Sequence, residues 1–368
     1  MYSEDLPEFN MFDYLATGIK DQPTLHYMRT YWLAVEQSLM YKMSSSFCLG
    51  PTPKHIIFFN YLKSFFRAYK NSPMFLFSLF NEASHDYVNT VGAIDKDLYD
   101  FLRSSFNEGL FNHSVVFILG DHGNRIDPIR TTEVGRIEDR MPMVSVIVPK
   151  WIDSIYPNWK SAVRENSRRL LSSYDIHATL LDILLTLKKQ DTDISFKYEF
   201  LKESGLNHKL ASHFSADSVG NSFFKLVSLN RNCESAGIPD WFCVCLNNKE
   251  QINPDDPRSV KAAKAVVKYF NSGLLKNLPN CAEQNLVKVE RSELIKNQNE
   301  YRIQLMFRTM PGDGVFEALV NVKDKGATSV YDIVGEVLRI NHYGTQADCL
   351  PRTLLANNTI LRGVCYCI

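Results

Sequence analysis

From His55 to Tyr69, the run HIIFFNYLKSFFRAY carries apolar residues at helical spacing and predicts an amphipathic helix. Residues 24–42 and 93–107 also read as helical. Residues 172–187, opened by Ser and Asp capping residues, predict a further helix. Between these segments stand short runs with little polar interruption: MFLFSLF at 74–80, VVFILG at 115–120 and the proline-bounded PMVSVIVP at 142–149. Such runs predict strands buried on both faces. Strands of this kind alternating with helices predict an α/β fold, a parallel or mixed sheet covered by helices. Near residue 226 the texture changes. Residues 256–275 read as a helix and residues 285–291, 301–308 and 314–322 as strands, with MPGDG turning the chain before the third. Two domains are expected: 1–225, and a small cysteine-rich α+β domain over 226–368.

Composition narrows the class. The 368 residues are 45% hydrophobic and 22% charged, ordinary globular material with enough length to bury a core. Lys+Arg and Asp+Glu are both 41, so overall charge argues against nucleic acid as a partner. No run of apolar residues is long enough to predict a transmembrane segment, and MYSEDLPEFN lacks the basic and apolar regions of a signal peptide. The eight cysteines point the other way. Seven of them, Cys233, Cys243, Cys245, Cys281, Cys349, Cys365 and Cys367, crowd the last 136 residues, whereas Cys48 stands apart. Their C-x-C pairs are not zinc-ribbon spacing, which favours disulfides over zinc or free thiols. Asn112-His113-Ser114 and Asn357-Asn358-Thr359 are glycosylation sequons. A secreted protein, or one of the secretory lumen, is the expectation.

The candidate chemistry lies at the strand ends, where open α/β sheets build their sites. Asp121, His122 and Gly123 follow VVFILG directly. A carboxylate and a neutral imidazole suit a divalent ion such as zinc or manganese, and calcium is compatible. An isolated Asp-His-Gly is more often a capping Asp with a surface His. Here a second strand end, NEASHDYVN, offers Asn81, Glu82, His85 and Asp86. Arg125, Arg130, Arg136 and Arg140 follow within reach, and guanidinium groups clamp phosphate or sulfate oxygens. The bland alternative is a solvated loop balanced by Glu133, Glu138 and Asp139.

The order of these motifs resembles the alkaline phosphatase and sulfatase-like superfamily. Asp121-His122-Gly123, then Glu138, Arg140 and Pro142, then YDIHATLLDIL at 174–184 match its strand-end, arginine and helix elements. YSEDLP, PTLHYMRTYW, FNEASHDYVNTVGAID and the cysteine-bearing tail are similar to a branch known as domain of unknown function 229. The resemblance implies roles. Asp121 and His122 would hold a divalent metal ion, zinc, calcium or manganese. His85 would serve substrate, leaving group or a second metal. Arg130 would contact the ester oxyanion, and Arg140 would buttress the site beside Glu138. Asn81 departs from the two-metal pattern, which favours a one-metal site. The superfamily's nucleophile and first acidic ligand precede the segment that YSEDLP resembles, and no C-x-P-x-R motif occurs. The expectation is therefore a sulfatase-like fold incomplete at its N-terminus and a metal site incompletely ligated in this chain. The substrate would be a phosphate or sulfate ester, glycan-borne ones included. A non-catalytic secreted binding protein with a glycan or protein partner is the alternative, and a truncated fragment of poor solubility is a third reading.

Overall fold

The computed structural model describes residues 1–8, 10–13, 18–19, 21–85, 87–189, 219–245, 249–297, 300–325 and 328–368. In chain order the elements begin with β1 (Tyr2–Glu4), α1 (Arg29–Gln37), α2 (Leu39–Lys42), β2 (Cys48–Leu49), β3 (Thr52–Pro53), α3 (Lys54–Ala68) and β4 (Phe77–Leu79). They continue with α4 (Gly92–Asn107), β5 (Val116–Leu119), α5 (Glu133–Arg140), β6 (Val144–Ile147), α6 (Ile152–Ile155), α7 (Trp159–Asn166) and α8 (Ser173–Lys189). Next come β7 (Lys249–Ile252), α9 (Pro257–Tyr269), β8 (Asn285–Asn297), β9 (Glu300–Met310), β10 (Gly314–Lys325) and β11 (Thr328–Arg339). Two short helices, α10 (Arg352–Asn357) and α11 (Leu361–Val364), close the chain.

The fold is mixed α/β, and its largest sheet is antiparallel. β11, β10, β9, β8 and β7 lie side by side in that order, five strands in all. The expected parallel sheet is reduced to two strands: β1 beside β4, with Tyr2 opposite Phe77 and Glu4 opposite Leu79. β5 and β6 pair with each other instead of joining it. All three apolar runs form strands, as their patterning predicts, but none is buried. β4 is half-buried, and β5 and β6 are half-buried to exposed. An uninterrupted apolar run specifies a strand without specifying its partners, and a two-stranded sheet leaves much of each face uncovered.

The chain divides into two compact units: Met1–Ser114, Leu119–Met143 and Asn248–Ile368 form one, Val115–Ile118 and Val144–Asn247 the other. The expected boundary near residue 226 falls inside the second. In the first unit, α9 starts at the N-cap Asp256, whose carboxylate accepts from the Arg258 N–H, with Pro257 at its first position. It buries Ala262, Ala263, Val266 and Val267, and these share one core with Ile303, Leu305, Phe307, Phe316, Ala318 and Val320. Alternation sends Gln304, Glu317 and Leu319 to the sheet's other face. α3 packs by the same logic, burying Phe58, Phe59, Leu62, Phe65 and Phe66 on one stripe. Disulfides Cys281–Cys365 and Cys349–Cys367 staple the tail to the segment before β8. Closing the 84-residue loop stabilises by roughly 4–5 kcal/mol in the chain-entropy picture.

The second unit centres on α8. Asp175 in its first turn is fully buried and meets Arg231 in a two-pronged pair at 2.7 and 2.9 Å. It also accepts the Ser172 and Asn221 backbone N–H groups at 2.7 Å each. The Asp of the YDIHATLL segment is thus a structural fork. Trp159 stacks on Phe224 at 3.8 Å, and Cys233–Cys243 closes the small loop that follows.

Candidate metal centre

Asp121 and His122 begin the loop that leads to α5. The Asp121 carboxylate is largely exposed and His122 is about one-third exposed. Asp121 Oδ1 accepts the His122 backbone N–H at 3.0 Å. The His122 Nδ1 lies 2.6 Å from the Gly123 carbonyl oxygen. A carbonyl can only accept, so Nδ1 holds its proton and donates it. In the neutral ring this leaves the lone pair on Nε2. That nitrogen sits 3.5 Å from Asp121 Oδ2. Two ligand atoms each about 2.1 Å from a tetrahedral ion lie about 3.4 Å apart. A backbone carbonyl that fixes the tautomer of a metal-ligating histidine is also the usual outer partner. The donor set therefore fits one divalent ion held from two sides.

Gly123 is required here by close approach. A Cβ on it would meet the Glu138 carbonyl oxygen at 2.3 Å and the Asp139 Cα at 2.7 Å. Its N–H donates to the Asp139 oxygen at 3.1 Å. The Asp-His-Gly loop is thus laid against the last turn of α5, the helix that carries Glu138, Asp139 and Arg140. Thr132 caps α5 by accepting the Gly135 N–H, and Gly135 presses as closely on Ile129.

The arginines lie deep. Arg130 is 1% exposed, donates from Nε to Asp139 at 3.1 Å and from Nη2 to Glu317 at 2.7 Å. Arg140 reaches Glu317 at 3.1 Å. Arg136 pairs with Glu293 at 3.2 Å and with Glu133 at 3.1 Å. Gln304 donates a further hydrogen bond to Glu317 at 2.6 Å. Burial alone would raise the Glu317 carboxyl, but Arg140, Arg130 and Arg136 together hold it down at about 2. Burial lowers the Arg140 guanidinium, which stays charged at neutral pH. This knot of charge ties α5 and the loop before it to the polar face of the five-stranded sheet. Arg125 is the exposed guanidinium of the series, 3.9 Å from Asp139.

His85 is exposed, in the turn after β4, where its N–H donates to the Asn81 oxygen at 2.9 Å. Asp86 lies outside the described residues. Among the described residues, the groups of three ligand atoms within 4.8 Å of one another are all cysteines, Cys233/Cys243/Cys245 and Cys281/Cys349/Cys365. His85 therefore does not complete a triad with Asp121 and His122. The cysteine groups contain the disulfides, with Cys245 and Cys48 free.

Pattern reading missed two residues that hold the turn after β4 at Asn81 and Glu82. Asp5, one residue past β1, is fully buried and accepts the Asn81 and Glu82 N–H groups at 2.7 and 2.9 Å. Burial raises its carboxyl to about 6 against those hydrogen bonds. Lys54, fully buried at the start of α3, meets Glu82 at 2.9 Å and lies over the Trp32 and Tyr41 rings. The signal was slight, since Asp5 stands beside Glu4 in the polar stretch Ser3–Asp5 and Lys54 just ahead of the apolar run HIIFF.

A family model described as "Protein of unknown function (DUF229)" matches residues 1–290. No curated protein and no solved structure matches the chain.

Proposed function

The chain belongs to the DUF229 family, and from that premise we propose that it carries part of the metal centre of a sulfatase-like hydrolase or transferase of phosphate or sulfate esters. The observation that carries this reading is the Asp121–His122 pair, with Nε2 and Oδ2 3.5 Å apart and the tautomer set by the Gly123 carbonyl. Asp121 and His122 would hold one divalent ion, and the rest of its shell would come from groups outside this pair. When bound, such an ion supplies positive charge for developing oxyanions and for an attacking oxygen. The chain's own residues position and orient. Gly123 lets the ligand loop seat on α5. Arg130 and Arg140, engaged by Asp139 and Glu317, hold that seat as positioning residues. Arg125 and His85 are exposed; Arg125 would meet an ester oxygen and His85 would exchange a proton with a leaving group.

Calorimetric titration of the chain with zinc, manganese and calcium tests the reading. We expect one ion per chain, with Asp121→Ala and His122→Ala each weakening it at least tenfold. No binding by the unaltered chain, or equal binding by both variants, would sink the reading in favour of a non-catalytic binding protein.

A further inference from the structure

The chain is neutral overall, yet its charge is unevenly placed. From Pro257 to Ala282 there are five cations, Arg258, Lys261, Lys264, Lys268 and Lys276, and no Asp or Glu. α9 explains how they are displayed. Its inward face, Ala262, Ala263, Val266 and Val267, is spent on the sheet, so Lys261, Lys264 and Lys268 fall on the outward face and are exposed. At spacings of three and four residues they stand about one helical turn, ~5.4 Å, apart along the axis. None of the three has an ion-pair partner among the described residues. Arg258 at the end of the row is held by Asp256 at 2.8 Å.

Beside this row runs an open groove of about 450 Å³, whose lining includes Lys264, Lys268, Asn271, Ser272, Gln284 and Asn285. Its wall is fixed. Asn271 bonds the Gln284 backbone with both amide atoms at 2.8 Å, and the Gln284 side chain is taken by Val364 and Thr309. Two ammonium groups and the Asn285 amide are left to face a ligand, and the Ser272 hydroxyl, which donates to the Lys268 carbonyl oxygen at 2.6 Å, can still accept from one. No carboxylate and no aromatic ring lines the groove. The first lack favours an anion. The second disfavours a single-stranded nucleic acid, which stacks its bases on aromatic side chains.

We propose that the outward face of α9 and its groove bind a sulfated polysaccharide. A sulfate would sit between Lys264 and Lys268, sugar hydroxyls would meet Asn285 and Ser272, and Lys261 would take the next charge along the chain. The site lies on the opposite face of the five-stranded sheet from Glu317 and stands apart from the Asp121–His122 pair.

The test uses the 368-residue chain and a heparin-derived dodecasaccharide, its fully desulfated counterpart, an oligothymidylate of matched charge, and vesicles containing phosphatidylserine. We expect the sulfated sugar to bind at physiological salt, the desulfated one not to, and the oligothymidylate and vesicles to bind at least tenfold more weakly. The triple variant Lys261→Gln, Lys264→Gln, Lys268→Gln should lose at least tenfold in affinity with an unchanged melting temperature. A control variant, Lys288→Gln with Lys323→Gln, should bind as the parent does. Equal binding by triple and control variants, no binding by the parent, or tighter binding of oligothymidylate or vesicles would each overturn the proposal.

Discussion

At the scale of single residues, Gly123 is the sharpest case of a motif residue whose reason differs from its pattern reading. In an Asp-His-Gly triplet the glycine reads as freedom to turn, yet Gly123 is absent from the positive-φ positions. Its lack of a side chain lets α5's backbone come within contact distance. Gly123→Ala should therefore cost about 1–3 kcal/mol in overpacking, read as a lowered urea midpoint. Gly92→Ala, at the first position of α4 with open space around a Cβ, is the matched control and should be neutral or slightly stabilising. The chemistry of Asp121 and His122 was legible in the sequence because adjacent polar residues after an apolar run are conspicuous. The Nδ1 contact and the 3.5 Å spacing were not, since both depend on backbone direction beyond the strand.

At the scale of elements, long-range pairing decides what local pattern leaves open. The helices over 54–68, 92–107 and 173–189 fall within two residues of their expected spans, because 3.6-residue periodicity is a local property. β11 and β7 went unread, and Arg130 read as an oxyanion clamp, because nothing near position 130 announces Glu317, 187 residues away. That knot has a pH signature. Glu317 ionises at about 2 in the folded chain against an ordinary 4.5. Its contribution, on the order of 3 kcal/mol, is present above about pH 4.5 and is lost as pH falls towards 2. Asp5 has the opposite sign. Its carboxyl is raised from an ordinary 3.8 to about 6, so its contribution is present below about pH 4 and lost as pH rises through 6. Urea midpoints from pH 2 to 8 should therefore pass through a maximum near pH 4. Asp5→Asn should flatten the neutral side of that profile, and Glu317→Gln the acid side. Glu317→Ala should cost about 3–5 kcal/mol at pH 7, because it leaves three guanidinium groups crowded without their shared anion. A profile flat between pH 5 and 8 in the parent would contradict the Asp5 assignment.

At the scale of the whole molecule, the two compact units divide the chain discontinuously, and the segment that brings the candidate ligands is built into the same unit as the cysteine-stapled antiparallel sheet. A reading in contiguous blocks, 1–225 and 226–368, separates them. The sheet's apolar face carries a helix and its charged face carries the arginines of the ligand-bearing segment, so stability and candidate site share one scaffold. What that scaffold is for rests on the claim that Asp121 and His122 share a metal ion. The direct measurement is a titration of zinc into the chain labelled with ¹⁵N at histidine, followed at the ring nitrogens. The account predicts that His122 Nε2 moves to a metal-bound shift while Nδ1 keeps its proton and its hydrogen bond to Gly123. A His122 ring that stays unchanged while zinc binds elsewhere, or one that binds through Nδ1, would contradict it.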